Sequence, residues 1–186
     1  IAIGDNLLSM PWVKDLVRVN KSFIVERNLP IRQMLASSKL LSEYMHYAIN
    51  EKHENVWIAQ REGRAKDSND RTQEAVLKMM AIGGEGDVVD RLMHLHIVPL
   101  SISYEYDTCD YLKAKEMQQK RDVPNFKKSA QDDVLNMQTG ILGYKGGVHY
   151  HFAPCIDSFL ATLDRTLPKG DLFAAVAQHI DKEIYR

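Results

Sequence analysis

Only two cysteines occur in these 186 residues, Cys109 and Cys155. That is too few for a disulfide framework, and it points to a reducing compartment. No apolar run approaches the roughly 18 residues that would mark a membrane-spanning helix. No signal-peptide pattern is present. Charge of one sign is also missing: the formal net charge is -1. A global basic field, the usual footprint of nucleic-acid binding, is therefore excluded, and any anion site must be local. Repeats, low-complexity tracts and linkers are absent as well. What remains is an ordinary globular composition, 45% hydrophobic and 26% charged, in a length that suits one domain with a sizeable core.

Strand and helix patterns alternate along the chain. Ile1-Ala2-Ile3 reads as a strand already under way. Pro11, after Ser9 as a cap, opens a short helix with Trp12, Leu16 and Val17 on one face. Ser22-Phe23-Ile24-Val25 reads as a buried strand. Pro30 opens a long helix in which Ile31, Leu35, Leu41, Tyr44, Met45 and Ile49 recur at roughly helical spacing. Val56 to Ala59 reads as the next strand. A helix from Thr72 is stopped by Gly83-Gly84, and a short one starts at Asp87. His96 to Tyr104 reads as a strand, and Pro99, lacking an N–H, marks a bulge or strand end within it. Helices are expected at 109–121 and 132–143, a loop at 122–131, a strand at Val148–Phe152, and closing helices at Phe159–Leu163 and Leu172–Ile184. The β-α-β rhythm implies an α/β single domain, a mostly parallel sheet covered by helices on both faces.

The densest charge lies just after the Val56–Ala59 segment, from Arg61 to Arg71. Ligands gather at the carboxyl ends of strands in open α/β sheets. A strand that ends in Glu62-Gly63 and several cations therefore suggests an anion site. Gly63 would allow close backbone approach.

Four segments, in order, resemble the phospholipid and glycerol acyltransferase superfamily, closest to the glycerol-3-phosphate and dihydroxyacetone-phosphate acyltransferases. Ile3-Gly4-Asp5-Asn6-Leu7 resembles the stretch before the second family block, and Ser22-Phe23-Ile24-Val25-Glu26-Arg27 resembles that block. Glu62-Gly63 followed by cations resembles E-G-x-R-S. Ile97-Val98-Pro99-Leu100-Ser101-Ile102-Ser103-Tyr104 resembles V-P-V-S-I-S-Y. Gly147 to Pro154 is a weaker fifth match. Three departures stand out. Lys21 replaces the usual Gly. Ala65 occupies the Arg position of the third block, so Arg64 or Lys66 must substitute. The catalytic H-x-x-x-x-D is missing, since none of the seven histidines has Asp five residues on. The nearest is His46, with Glu51. The resemblance thus implies a partial acyltransferase domain over 1–186, with the catalytic His and Asp expected upstream of Ile1.

The chemistry so implied is acyl transfer from a thioester to a hydroxyl. A His acts as general base, an Asp orients it, and no cofactor or metal takes part. The resemblance assigns Arg27, Glu62, Gly63, Arg64 and Lys66 to binding the acceptor phosphate, and Val98 and Pro99 to the pocket wall. Arg suits a phosphate because it can bind it bidentately, whereas Lys acts as a point charge. Implied partners are acyl-CoA or acyl carrier protein, a phosphorylated glycerol-type acceptor such as glycerol 3-phosphate, and a membrane surface met peripherally, with no nucleic acid. The implied location is the cytoplasm, at the inner face of the cell membrane. A catalytically inactive lipid- or acyl-carrier-binding homologue is the alternative, and an unrelated α/β nucleotide binder a third reading.

Other features have plainer explanations. Gly83-Gly84-Glu85-Gly86-Asp87 lacks the lysine of a P-loop and reads as a helix stop. His94 and His96, His149 and His151, with Cys155, could ligate a metal but read as structural. The lysines at 113, 115, 120, 127 and 128 read as a solvated face rather than a lipid contact. Met79, Met80 and Met93 read as core.

Overall fold

The structure, a computed structural model, describes the chain except Asn6, Leu7, Ser9, Met10, Arg27, Asn28, Glu62, Arg64, Ala65 and Ser68, and the side chains of Pro11, Ile31 and Ala130. It is mixed α/β and falls into two compact units. The first comprises Ile1–Gly63, Arg71–Pro99 and Pro154–Arg186; the second comprises Arg64–Asp70 and Leu100–Ala153.

In the first unit, β1 (Ala2–Gly4) pairs in parallel with β2 (Phe23–Val25), and Ile3 faces Ile24 in register. Between them runs α1 (Pro11–Val19). Its buried residues are Val13 and Val17, while Trp12 and Leu16 are exposed, so the apolar face is rotated from the expected one. The long helix α2 (Ile31–Asn50) begins after Pro30, whose fixed φ of -55° suits a helix entry. Its inward stripe is Ser42, Met45, His46 and Ala48, and Leu35 is exposed.

Three short helices follow: α3 (Glu74–Met80), α4 (Val88–Met93) and α7 (Asp157–Leu160). Asp87 caps α4 in a reciprocal capping box with Asp90. The closing helix α8 (Lys169–Ile184) buries Leu172, Phe173, Val176, Ala177 and Ile180, a stripe at helical spacing. Helix α3 packs on α2 and α8, and α4 on α7. Met45, Leu77, Met80, Val89, Leu92, Ile156 and Leu160 join the α8 stripe in one core. Phe23 of β2 reaches this core's edge and meets Tyr44 edge to face at 5.2 Å.

The second unit contains the antiparallel pair β3 (Leu100–Tyr104) and β4 (Val148–Phe152) and the helices α5 (Asp110–Asp122) and α6 (Ala130–Leu142). Ser129 and Asp132 form a capping box on α6.

The strand expectations need correction at three places. Among the described residues the sheets are two-stranded, one parallel and one antiparallel, in place of a single broad parallel sheet. Val56–Ala59 forms no strand: the Trp57 carbonyl accepts one hydrogen bond, from the Ala2 N–H at 2.8 Å, and no ladder follows. The strand expected from His96 starts only at Leu100, because His96 has a left-handed φ of 47° and Pro99 has no N–H to offer. No helix among the described residues is long and apolar enough to cross a membrane.

Candidate functional site

Of the residues assigned to acceptor binding, Arg27, Glu62 and Arg64 lie outside the described residues. Gly63 is exposed at φ 74°, a conformation that would strain any residue with a Cβ. The Gln73 N–H donates to the Gln60 carbonyl at 3.0 Å, so the charged segment between them is a closed excursion. Val98 is exposed and Pro99 buried in the same unit as Gly63.

Lys66 belongs to the second unit, where it donates to Glu116 of α5. The same carboxylate meets Lys120 at 3.0 Å and Lys128 at 3.6 Å, and Lys128 also holds Asp133 at 2.6 Å. Burial works to raise the Glu116 pKa. Hydrogen bonds from Lys66 and Lys120, with the nearby charges of Lys66 and Lys128, outweigh burial and bring it down to about 2. Two of the five lysines of the supposed solvated face, Lys120 and Lys128, therefore belong to a carboxylate-centred network, and Lys66 is already engaged in it.

The glycine run proves to be a packing device. Ser42 Oγ donates to the Met80 carbonyl at 2.8 Å and accepts the Gly83 N–H at 2.8 Å. His46 Nε2 lies 3.2 Å from the same carbonyl. A Cβ on Gly84 would stand 2.6 Å from the His46 ring. Burial depresses the His46 pKa; the bond to Met80 opposes this, and His94 and Arg91 add to it.

One further cluster stands in the first unit, from His96, Cys155 and Asp157. Their ligand atoms lie within 4.8 Å of one another. His96 Nδ1 is 2.6 Å from Asp157 Oδ2. The two segments are tied by the Ile156 N–H, which donates to the Ile97 carbonyl at 3.0 Å. Asp157 Oδ1 is buried with no hydrogen-bond partner among the described residues. Burial raises the Cys155 pKa; the Asp157 backbone N–H opposes this, while the Asp157 carboxylate adds to it by hydrogen bond and charge. A thiol whose pKa is pushed up in this way does not suit an activated nucleophile. Cys155 also lines a shallow cleft of about 300 Å³ with Phe159, His179, Glu183 and Arg186. There Phe159 and His179 stack at 3.8 Å.

Reading the sequence drew attention to His96 and Cys155 but missed Asp157. Its only local signal is the Cys-x-Asp spacing, and its imidazole partner is 61 residues away. His94, His149 and His151 stand outside the cluster.

Comparison with known protein families, with curated proteins and with solved structures finds no match.

Proposed function

We propose that the chain carries the acceptor-binding part of an O-acyltransferase of membrane lipid synthesis. A fatty acyl group would pass from acyl-CoA or acyl carrier protein to a hydroxyl of glycerol 3-phosphate or a related acceptor. One observation supports this reading most. The first two segments that resemble the family overlap the parallel neighbours β1 and β2, and Trp57, leading into the third, bonds to β1 through Ala2. Three stretches far apart in sequence thus lie side by side. In this reading β1 and β2 are part of a mostly parallel sheet flanked by helices on both faces, with Trp57 held beside it by its one bond to Ala2.

Arg27 follows β2 by two residues in sequence and would hold the acceptor phosphate. Arg64 or Lys66 would supply the second cation of the third block, and the engagement of Lys66 by Glu116 favours Arg64. Gly63 supplies the backbone approach, Glu62 orients the cations or accepts from a substrate hydroxyl, and Val98-Pro99 shapes the wall. The chain would meet the inner face of the cell membrane as a peripheral protein.

Because no H-x-x-x-x-D occurs in these residues, a second reading keeps the binding and drops the chemistry: a lipid- or acyl-carrier-binding homologue. Both predict that the 186-residue chain binds the acceptor without turning it over. Calorimetry with glycerol 3-phosphate and ATP side by side tests the shared part. Arg27→Ala should weaken glycerol 3-phosphate binding by a charged hydrogen bond, about 1.5–3 kcal/mol, or roughly tenfold to more than a hundredfold. Binding of ATP alone would overturn the assignment. Acyl transfer by this chain would refute the missing-base argument.

A further inference from the structure

We propose that His96, Cys155 and Asp157 form a transition-metal site of the zinc type, with three protein ligands and an open fourth position. The donor set is one thiolate sulfur, one imidazole nitrogen and one carboxylate oxygen. Sulfur with imidazole selects borderline-soft dications over magnesium or calcium, which prefer all-oxygen shells. Three protein ligands and a vacant position for water are the pattern of reactive rather than purely structural zinc sites.

The geometry is close to what such an ion needs. The three ligand atoms already lie within 4.8 Å of one another. Zinc bonds of about 2.0–2.3 Å place tetrahedral ligands roughly 3.3–3.8 Å apart. His96 Nδ1 and Asp157 Oδ2, now 2.6 Å apart, would separate slightly as the ion comes between them. An imidazole that ligates through Nδ1 carries its proton on Nε2, and any proton displaced from between Nδ1 and the carboxylate passes to solvent, which reaches the exposed His96. The Cys155 thiol loses its proton to solvent. The dication is then balanced by one thiolate and one carboxylate, and the site is neutral.

Two independent observations favour a ligand here over a mere hydrogen-bonded pair. Asp157 Oδ1 is buried with no hydrogen-bond partner among the described residues, although carboxylate oxygens are strong acceptors. His96 is held in the left-handed region at φ 47°, where a non-glycine residue is uncommon, at the point that brings its ring to Asp157. The Ile156–Ile97 backbone bond fixes both ligand segments before any ion arrives.

The test uses the chelator-treated chain titrated with Co²⁺ and with Zn²⁺. We expect one equivalent bound, a thiolate-to-cobalt charge-transfer band, and visible bands of tetrahedral intensity. Zn²⁺ should displace the cobalt and raise Tm. Cys155→Ser should abolish the charge-transfer band, and Cys109→Ser should keep it. His96→Gln and Asp157→Asn should each weaken binding about tenfold or more, with the apo circular dichroism unchanged. A band that is absent, that survives Cys155→Ser, or that depends on Cys109 would overturn the site. So would zinc affinity that both His96→Gln and Asp157→Asn leave untouched.

Discussion

Replacing Glu116 with Gln removes one negative charge from among three ammonium groups. Glu116 is buried, and Lys66, Lys120 and Lys128 converge on its two oxygens. A carboxyl held near 2 in the folded chain and near 4.5 in the unfolded one binds fewer protons when folded. Its stabilisation is therefore complete above pH 4.5 and is lost as pH falls toward 2. At about 1.4 kcal/mol per pKa unit, the contribution at pH 7 is about 3 kcal/mol, and about 2 kcal/mol of it is gone by pH 3. Glu116→Gln should therefore cost about 3 kcal/mol at pH 7, in line with breaking a buried ion pair from one side. Urea unfolding of both proteins at pH 7, 5, 4 and 3 reads the effect, with a probe in the second unit. The two stabilities should converge as pH falls. A loss below about 1 kcal/mol at pH 7, or parallel pH profiles from pH 5 to 3, would refute the reasoning.

Three further outcomes are expected. Ser42→Ala strips the Gly83 N–H of its acceptor and should destabilise the first unit by about 1–3 kcal/mol in denaturant titration. Gly84→Ala meets both a positive φ of 82° and the His46 ring. It should lower Tm more than an exposed Gly63→Ala, whose Cβ would meet nothing within 4 Å. Burial holds the His46 pKa down, so the folded chain binds fewer protons there than the unfolded chain below its ordinary value of 6.5. Stability should thus fall as pH drops from 6.5 through the depressed folded value, and His46→Gln should flatten that part of the profile.

The helices were legible because their signals are local. Pro30 announced α2, Asp87 announced α4, and the Leu172–Ile180 stripe announced α8. Strands were less so, since a strand is defined by a partner that the local pattern does not name. Val56–Ala59 has strand-like composition but shares one bond with β1, whereas Phe23–Val25 has the same character and a full parallel partner. The clusters were least legible of all. Glu116 looked like one acid in a lysine-rich helix, and its partner Lys66 comes from 50 residues earlier. Asp157 lay two residues before the helix expected from Phe159 and drew no attention. Its proximity to His96 depends on a backbone bond between Ile97 and Ile156 that no periodicity encodes.

That same backbone bond governs how the chain can change over evolutionary time. It holds the exit from the first unit, just before Pro99, beside the return just after Pro154. Everything from Leu100 to Ala153 is then an excursion between two points already pinned together. The entropic cost of closing such an excursion rises slowly with length, about 0.6 kcal/mol for each doubling. Insertions, deletions or wholesale replacement of that stretch leave the ends where the first unit's core needs them. Length variation should accordingly concentrate between these two points, while the core residues on either side stay fixed in spacing.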